Sequence, residues 1–198
     1  MAADEVIAAL GAGLPVLLPT DTVYGLAASP AQERFAAGLY ELKGREQRQP
    51  VALVASSVER LFELVPELDR TIVSALLPGP FTLVLANPAH RYPWLTGARP
   101  DTIGVRVPAV TGEPLRVLEA VGCVAATSAN DPGGPDPVSL DDVPARIRAG
   151  CGAELDVGRL PGIASTVLDF TGPEPRVLRE GAAPSAEALA RVRAASSR

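Results

Sequence analysis

The chain is poor in the residues from which most nucleophilic and metal centres are built. Among its 198 residues there is one histidine, there are two cysteines, and aromatic residues make up 4%. Cys123 and Cys151 are too few for a disulfide framework and neither stands at a metal-ligand spacing, so buried free thiols are expected. His90 reads as a loop residue rather than a catalytic base, and a zinc enzyme is not expected. There is no Gly-x-x-x-x-Gly-Lys-Ser/Thr loop, no Gly-x-Gly-x-x-Gly turn and no serine nucleophile elbow. The residues available favour positioning and charge over a covalent nucleophile. No apolar run is long enough to cross a bilayer, and Met1 to Glu5 lack the basic and apolar regions of a signal peptide. A cytoplasmic location with no membrane partner is therefore expected. A formal net charge of −5 argues against a general nucleic-acid binder, though it leaves room for a local basic pocket.

What is present suffices for a folded core. Hydrophobic residues make up 47% and charged residues 21%, the balance of a globular chain. The length suits one domain over residues 1–198. The 20 prolines and 18 glycines are spread along the chain and punctuate many short elements. Asp4 can cap a short helix that Gly11 and Gly13 end. A buried strand, Leu14 to Leu18, is expected to stop at Pro19, which has no N–H for a ladder. The polar turn Thr20-Asp21-Thr22 follows. The next helix opens near Pro30, carries Phe35, Leu39 and Leu42 on one face and runs through Lys43. Further strands are expected at 50–55, 81–86, 102–107, 123–126, 163–170 and 176–178. Helices are expected after Ser56 or Ser57, from Asp69, around Leu115 to Val121, from Asp141 or Asp142 through Ala149, and after Pro184. Apolar strands alternating with helices predict an α/β fold, a mixed sheet covered by helices.

Polar groups recur where these strands end. Thr20 and Thr22 follow the first strand, and Lys43 and Arg45 precede the second. Thr102 and Arg106 fall on one face of a strand, because every second side chain points the same way. Ser128 and Asn130 follow another strand, Ser165 and Thr166 open the next, and Arg179 ends the last. Guanidinium forks grip carboxylate or phosphate in two-pronged fashion, and lysine adds a compact charge. Hydroxyls and an amide add neutral donors and acceptors. Together these suit a small, highly anionic, hydroxyl-bearing substrate. Each also has a plainer reading. Lys43 and Arg45 can complement a helix dipole, Ser128 and Asn130 can form turns, and Asp21 reads as a turn residue rather than a general base. Arg106 is harder to explain away, since a half-buried arginine among apolar neighbours needs an anionic partner.

Seven segments, in order, resemble the Sua5/YrdC/TsaC family, the threonylcarbamoyl-AMP synthases. They are Pro19-Thr-Asp-Thr-Val-Tyr-Gly-Leu26, Leu42-Lys-Gly-Arg45 with Pro50 following, Leu77-Pro-Gly-Pro-Phe-Thr82, Ile103-Gly-Val-Arg-Val-Pro108, Thr127-Ser-Ala-Asn130, Ser165-Thr-Val167 and Leu178-Arg-Glu-Gly181. The resemblance implies a YrdC-like α/β fold, a twisted mixed sheet with flanking helices and a large concave cavity, in the short single-domain form. It implies a nucleotidyltransferase that joins L-threonine, bicarbonate and ATP into L-threonylcarbamoyladenylate, with pyrophosphate released, to supply the t6A modification of tRNA. By the same resemblance Lys43, Arg45, Ser128 and Asn130 form the catalytic tetrad. Thr22, Arg106, Ser128 and Ser165 hold threonine; Arg45, Gln49, Thr102, Asn130 and Arg179 contact ATP. Mg²⁺ is expected with the phosphates rather than in a protein metal site. The implied macromolecular partners are tRNA or the downstream t6A transferase complex.

The pattern departs at a few positions. Many members carry proline where Glu46 stands, asparagine where Gln49 stands, and a threonine-touching histidine where Val54 stands. Asp131-Pro132-Gly133 replaces the usual x-Ser-Gly after Ser-Ala-Asn. A related nucleotide-binding or adenylating enzyme with another substrate therefore stays open, as does a non-enzymatic RNA-binding module with a cationic cavity. The loop Asp131 to Pro137, rich in proline and glycine, is the candidate lid.

Overall fold

The computed structural model describes residues 2–44 and 49–197. In chain order its elements are α1 (Ala2–Gly11), β1 (Val16–Pro19), β2 (Tyr24–Ala28), α2 (Glu33–Lys43), β3 (Ala52–Ala55), α3 (Val58–Leu64), α4 (Arg70–Leu76) and β4 (Phe81–Ala86). There follow β5 (Thr102–Arg106), α5 (Glu113–Val121), β6 (Cys123–Ser128), α6 (Ala145–Ala149), β7 (Ala153–Glu154), β8 (Thr166–Asp169), β9 (Arg176–Arg179) and α7 (Ser185–Ser196). The strands form one sheet in the order β7-β1-β2-β6-β3-β5-β4-β8-β9. The pairs β1–β7, β3–β5 and β4–β8 are parallel and the rest antiparallel, so the expected mixed α/β sheet is what the chain forms.

Local signals explain most boundaries. Ser57 Oγ accepts from the Arg60 N–H at 3.0 Å and Asp69 Oδ1 from the Ile72 N–H at 3.0 Å, fixing the starts of α3 and α4. Gly44 ends α2 in the left-handed conformation, φ 63°, where its N–H reaches Glu41 O.

Several sequence expectations fail, each for a stated reason. The first strand does end at Pro19, but it begins at Val16 rather than Leu14, and Pro19 is its last residue, paired with Tyr24. The chain then doubles back into β2, so Thr20-Asp21-Thr22 is a hairpin connection and not a strand-to-helix turn. β2 hides from pattern reading because Gly25, Ala27 and Ala28 carry weak strand propensity; burial between β1 and β6 overrides it. Asp4 lies inside α1 and pairs with Arg116 instead of capping the helix. The expected helix at 141–149 is split into a 3₁₀ turn, Leu140–Asp142, and α6, because Pro144 disfavours a helical residue before it. β8 starts only at Thr166, and Ile163 is 56% exposed.

Period-two alternation places the cavity. Leu53, Ala55, Leu83, Leu85, Ile103, Val105, Ala125 and Leu168 point to one face, into the larger core with α2, α3, α4 and α7. On the opposite face Val16, Leu18, Ala27 and Val124 pack under α1 and α5 in a smaller core. Those two helices lie over the β7 half of the sheet. Across β3, β5, β4 and β8 the side chains on this second face are short or polar, among them Ala52, Gly104, Thr82 and Thr102, and a concave space is left.

The far wall depends on a close approach. A Cβ on Gly181 would lie 2.3 Å from Ala164 O and 2.5 Å from the Ser165 carbonyl carbon. The chain after β9 can cross this segment only as glycine. Gly181→Ala is expected to lower the unfolding free energy by about 1–3 kcal/mol, read as a shifted urea midpoint with unchanged slope.

Candidate active site

The cavity has a volume of about 390 Å³. β5 contributes Thr102, Gly104 and Arg106, the alternation expected from sequence. Ser128, Ser165 and Arg179 also line it, so five of the anticipated site residues share one wall with Thr20, Thr82 and Arg99. Among the described residues the lining contains arginines but no carboxylate.

Arg106 is 8% exposed. Its Nη2 donates to Thr22 Oγ1 at 2.8 Å and to Asp21 Oδ1. Asp21 Oδ2 accepts the Ala109 N–H at 3.0 Å. Burial pulls the Arg106 pKa down, and the charge and hydrogen bond of Asp21 oppose that shift without reversing it. An arginine stays cationic at any ordinary pH even so. Its Nε is buried and has no hydrogen-bond partner. The anionic partner that burial demands is therefore Asp21, yet the rest of the guanidinium, the buried Nε included, is left unbonded. Thr22, expected to touch threonine, is fully buried and lies outside the lining; it props Arg106 from behind and in turn bonds Thr20 Oγ1 at 3.0 Å.

Lys43 is 4% exposed and does not cap a dipole in solvent. Its Nζ donates to Ser128 O at 2.7 Å and to both Asn130 O and Asn130 Oδ1 at 2.5 Å. Ser128 Oγ donates to Asn130 Oδ1 at 2.7 Å, and Asn130 Nδ2 to Gly134 O at 2.6 Å. Lys43 and Asn130 thus stand behind the lining as the brace of the Ser128 turn. The same brace, with the Arg146–Asp131 pair and the Tyr24 N–H on Pro137 O at 3.0 Å, tethers the candidate lid. Gln49 is exposed and lies off the lining, although Pro50 and Val51 are on it. Arg45 and Glu46 lie outside the described residues.

A second polar group lines the same cavity. Thr82 Oγ1 and Ser165 Oγ are 2.8 Å apart, and Arg179 donates through Nε to Ser165 O at 3.0 Å and through Nη2 to Ser165 Oγ at 3.2 Å. Arg99 donates to Asp169 Oδ2 at 3.2 Å and Arg176 to the same oxygen at 2.7 Å. Burial pushes the Asp169 carboxyl up. The bonds from Thr171, Arg176 and Arg99 outweigh it and hold the group well below the usual carboxylate range. Sequence reasoning missed Asp21 as a partner, Thr82 and Arg99. The alternation Thr82, Val84 beside buried Phe81, Leu83 was a usable signal for the second of these; nothing local marks the other two.

The cysteines are not reactive centres. Burial pushes the Cys123 thiol up to about 11 and the Cys151 thiol up to about 12, so both stay protonated at neutral pH. Cys123 is buried as expected, whereas Cys151 is half-buried. Among the described residues no group of three His, Cys, Asp or Glu side chains is placed to hold a metal ion.

Comparison with known proteins agrees with the geometry. The family model Sua5_yciO_yrdC, described as "Telomere recombination", matches residues 8–181. A protein of Mycobacterium tuberculosis is 34% identical over 190 residues, 94% of this chain and 86% of that one. The threonylcarbamoyl-AMP synthase of Pyrococcus abyssi is 35% identical over 180 residues, 88% of this chain and 52% of its own length, so this chain spans about half of that relative. The crystal structure of P. abyssi Sua5 complexed with L-threonine superposes with a TM-score of 0.86 at 32% identity, covering 96% of this chain and 56% of that one. The fold extends to E. coli YciO, with a TM-score of 0.80 at 22% identity over 92% of this chain and 90% of that one. By sequence and by fold, the chain belongs to the Sua5/YciO/YrdC family.

Proposed function

We propose that the cavity synthesises L-threonylcarbamoyladenylate from L-threonine, bicarbonate and ATP, as a cytoplasmic nucleotidyltransferase. The observation that carries this reading is the buried Arg106, whose Nε has no hydrogen-bond partner, on a lining that holds arginines and, among the described residues, no carboxylate. An unpaired buried donor is costly and marks where a ligand completes the hydrogen bonding. A substrate carboxylate supplies an acceptor to the part of the guanidinium that lines the cavity.

The rest of the wall suits the other groups. Arg179 and Arg99 offset the repulsion among carboxylate, carbamate and triphosphate, and Thr102 adds a hydroxyl beside them. Ser128, Ser165 and Thr82 present hydroxyls that can orient the amine and the carbamate. The threonine nitrogen attacks the carbonyl carbon of bicarbonate, a proton leaves the nitrogen and water leaves the carbon. One carbamate oxygen then attacks the α-phosphorus in line, and the bond to pyrophosphate breaks. The wall contributes position and fixed charge to both steps. Lys43 and Asn130 act by holding the Ser128 turn, and Thr22 by holding Arg106. Arg45 and Gln49, anticipated on the nucleotide, remain part of the proposal on the motif alone. Mg²⁺ enters only with the nucleotide and takes no step from this wall. No helix among the described residues is long and apolar enough to cross a membrane, in keeping with this reading. The product would pass to tRNA modification.

The test is pyrophosphate release from ATP by the purified protein. Release that needs both L-threonine and bicarbonate is expected; release indifferent to threonine defeats the assignment. A second reading follows from Val54, an apolar side chain on the wall directly beside Arg106 in the β3–β5 register. It would favour another amino acid in the same reaction. Product masses from a panel including valine and serine separate the two.

A further inference from the structure

We propose that Asp21 is a positioning residue that aims Arg106 at the substrate carboxylate. The inference rests on the function proposed above and concerns a residue outside the cavity lining. Asp21 sits in the β1–β2 hairpin connection, and its side chain is 10% exposed against 9% for Arg106. One carboxylate oxygen takes Arg106 Nη2, and the other takes the Ala109 N–H at 3.0 Å, three residues past the end of β5. The carboxylate therefore ties the hairpin to the strand that carries Arg106 and to the chain that leaves it.

Three physical consequences follow. The buried guanidinium has a counter-charge, without which its desolvation would go uncompensated. Nη2 is held by Asp21 and Thr22 together, so rotation about the last side-chain torsions is blocked and the N–H groups that remain unbonded keep a fixed direction. The pair is close to neutral, so a substrate carboxylate is recognised by a directed N–H and not by net charge alone. Thr22 alone could not do this: a hydroxyl supplies neither the charge nor the link to Ala109. A turn residue chosen only for its conformation would have no reason to spend a buried carboxylate on an arginine 85 residues away.

The experiment compares Asp21→Asn, Asp21→Glu, Arg106→Lys and the Asp21→Asn/Arg106→Lys double variant with the parent. Asparagine keeps the shape but offers one acceptor where two are needed. Asp21→Asn is expected to raise KM for L-threonine about 10- to 100-fold, with kcat and KM for ATP within about threefold. Asp21→Glu should recover part of the loss. In the Arg106→Lys background Asp21→Asn should add nothing further. Equal losses for ATP and threonine, or effects that multiply in the double variant, overturn the proposal; if Asp21→Asn does not fold, the same comparison is made with Asp21→Glu. A substrate-free measurement keeps the inference separate from the function. The Nε–H proton of Arg106, identified by NMR through its absence in Arg106→Lys, should exchange with water at least about tenfold faster in Asp21→Asn. Unchanged exchange rules out positioning even if the parent is active. A parent that releases no threonine-dependent pyrophosphate defeats the function while the exchange rates still decide the role of Asp21.

Discussion

Arg106→Lys is expected to reduce kcat/KM for L-threonine by about 10²–10³-fold, about 2.7–4 kcal/mol of binding shared by ground and transition states. Lysine keeps the positive charge that Asp21 requires, so the buried carboxylate is not stranded and the fold survives. It loses the planar fork. An ammonium on a flexible stem cannot bond Thr22, Asp21 and a substrate carboxylate from fixed directions at once. The loss should appear chiefly in KM for threonine, because the contact is made as soon as the amino acid binds. KM for ATP should move by less than about threefold, since Thr102, Arg99 and Arg179 are untouched. Arg106→Ala would be a poorer probe: it leaves Asp21 buried without its cation, and breaking such a pair costs about 3–5 kcal/mol of stability. Steady-state pyrophosphate release with each substrate varied in turn decides the matter. A loss below about tenfold, or one shared equally by ATP, would show that Arg106 is not the carboxylate donor.

The second large effect concerns Lys43. Lys43→Met fills most of the same volume but removes an ammonium that meets Ser128 O, Asn130 O and Asn130 Oδ1. Hydrogen bonds to a charged group contribute about 1.5–3 kcal/mol each, and they share one donor group here, so a loss of about 3–5 kcal/mol in unfolding free energy is expected. The end of α2 would no longer be tied to the turn after β6. Activity should fall with stability, because Ser128 loses the brace that sets its hydroxyl on the wall. Urea unfolding and pyrophosphate release measured below the midpoint separate the two effects. If stability drops while kcat/KM of the folded fraction is unchanged, Lys43 is structural only, and its place in the tetrad falls.

Local chemistry in the chain already contained the class of fold and the outline of the site. The caps at Ser57 and Asp69 set helices that the structure keeps. The two-residue period put Thr102 and Arg106 on one side of β5, and the same period, had it been applied to Phe81–Ala86, would have placed Thr82 beside them. Propensity could not find β2, whose glycine and alanines become strand only through burial between β1 and β6.

Tertiary structure alone decided which polar residues face the cavity and which stand behind its lining. Thr22, Lys43 and Asn130, expected at the site beside strand ends, lie off the cavity lining and bond Arg106 or the Ser128 turn. Asp21 looked like a turn former, yet it is the counter-charge of Arg106. Periodicity and propensity act over a few residues and fix which side of an element a group is on. Partners 85 residues apart meet only because the strand order brings the β1–β2 hairpin and the end of β5 together across β6 and β3. The buried donor left over at Arg106 exists only once that packing has excluded water from it.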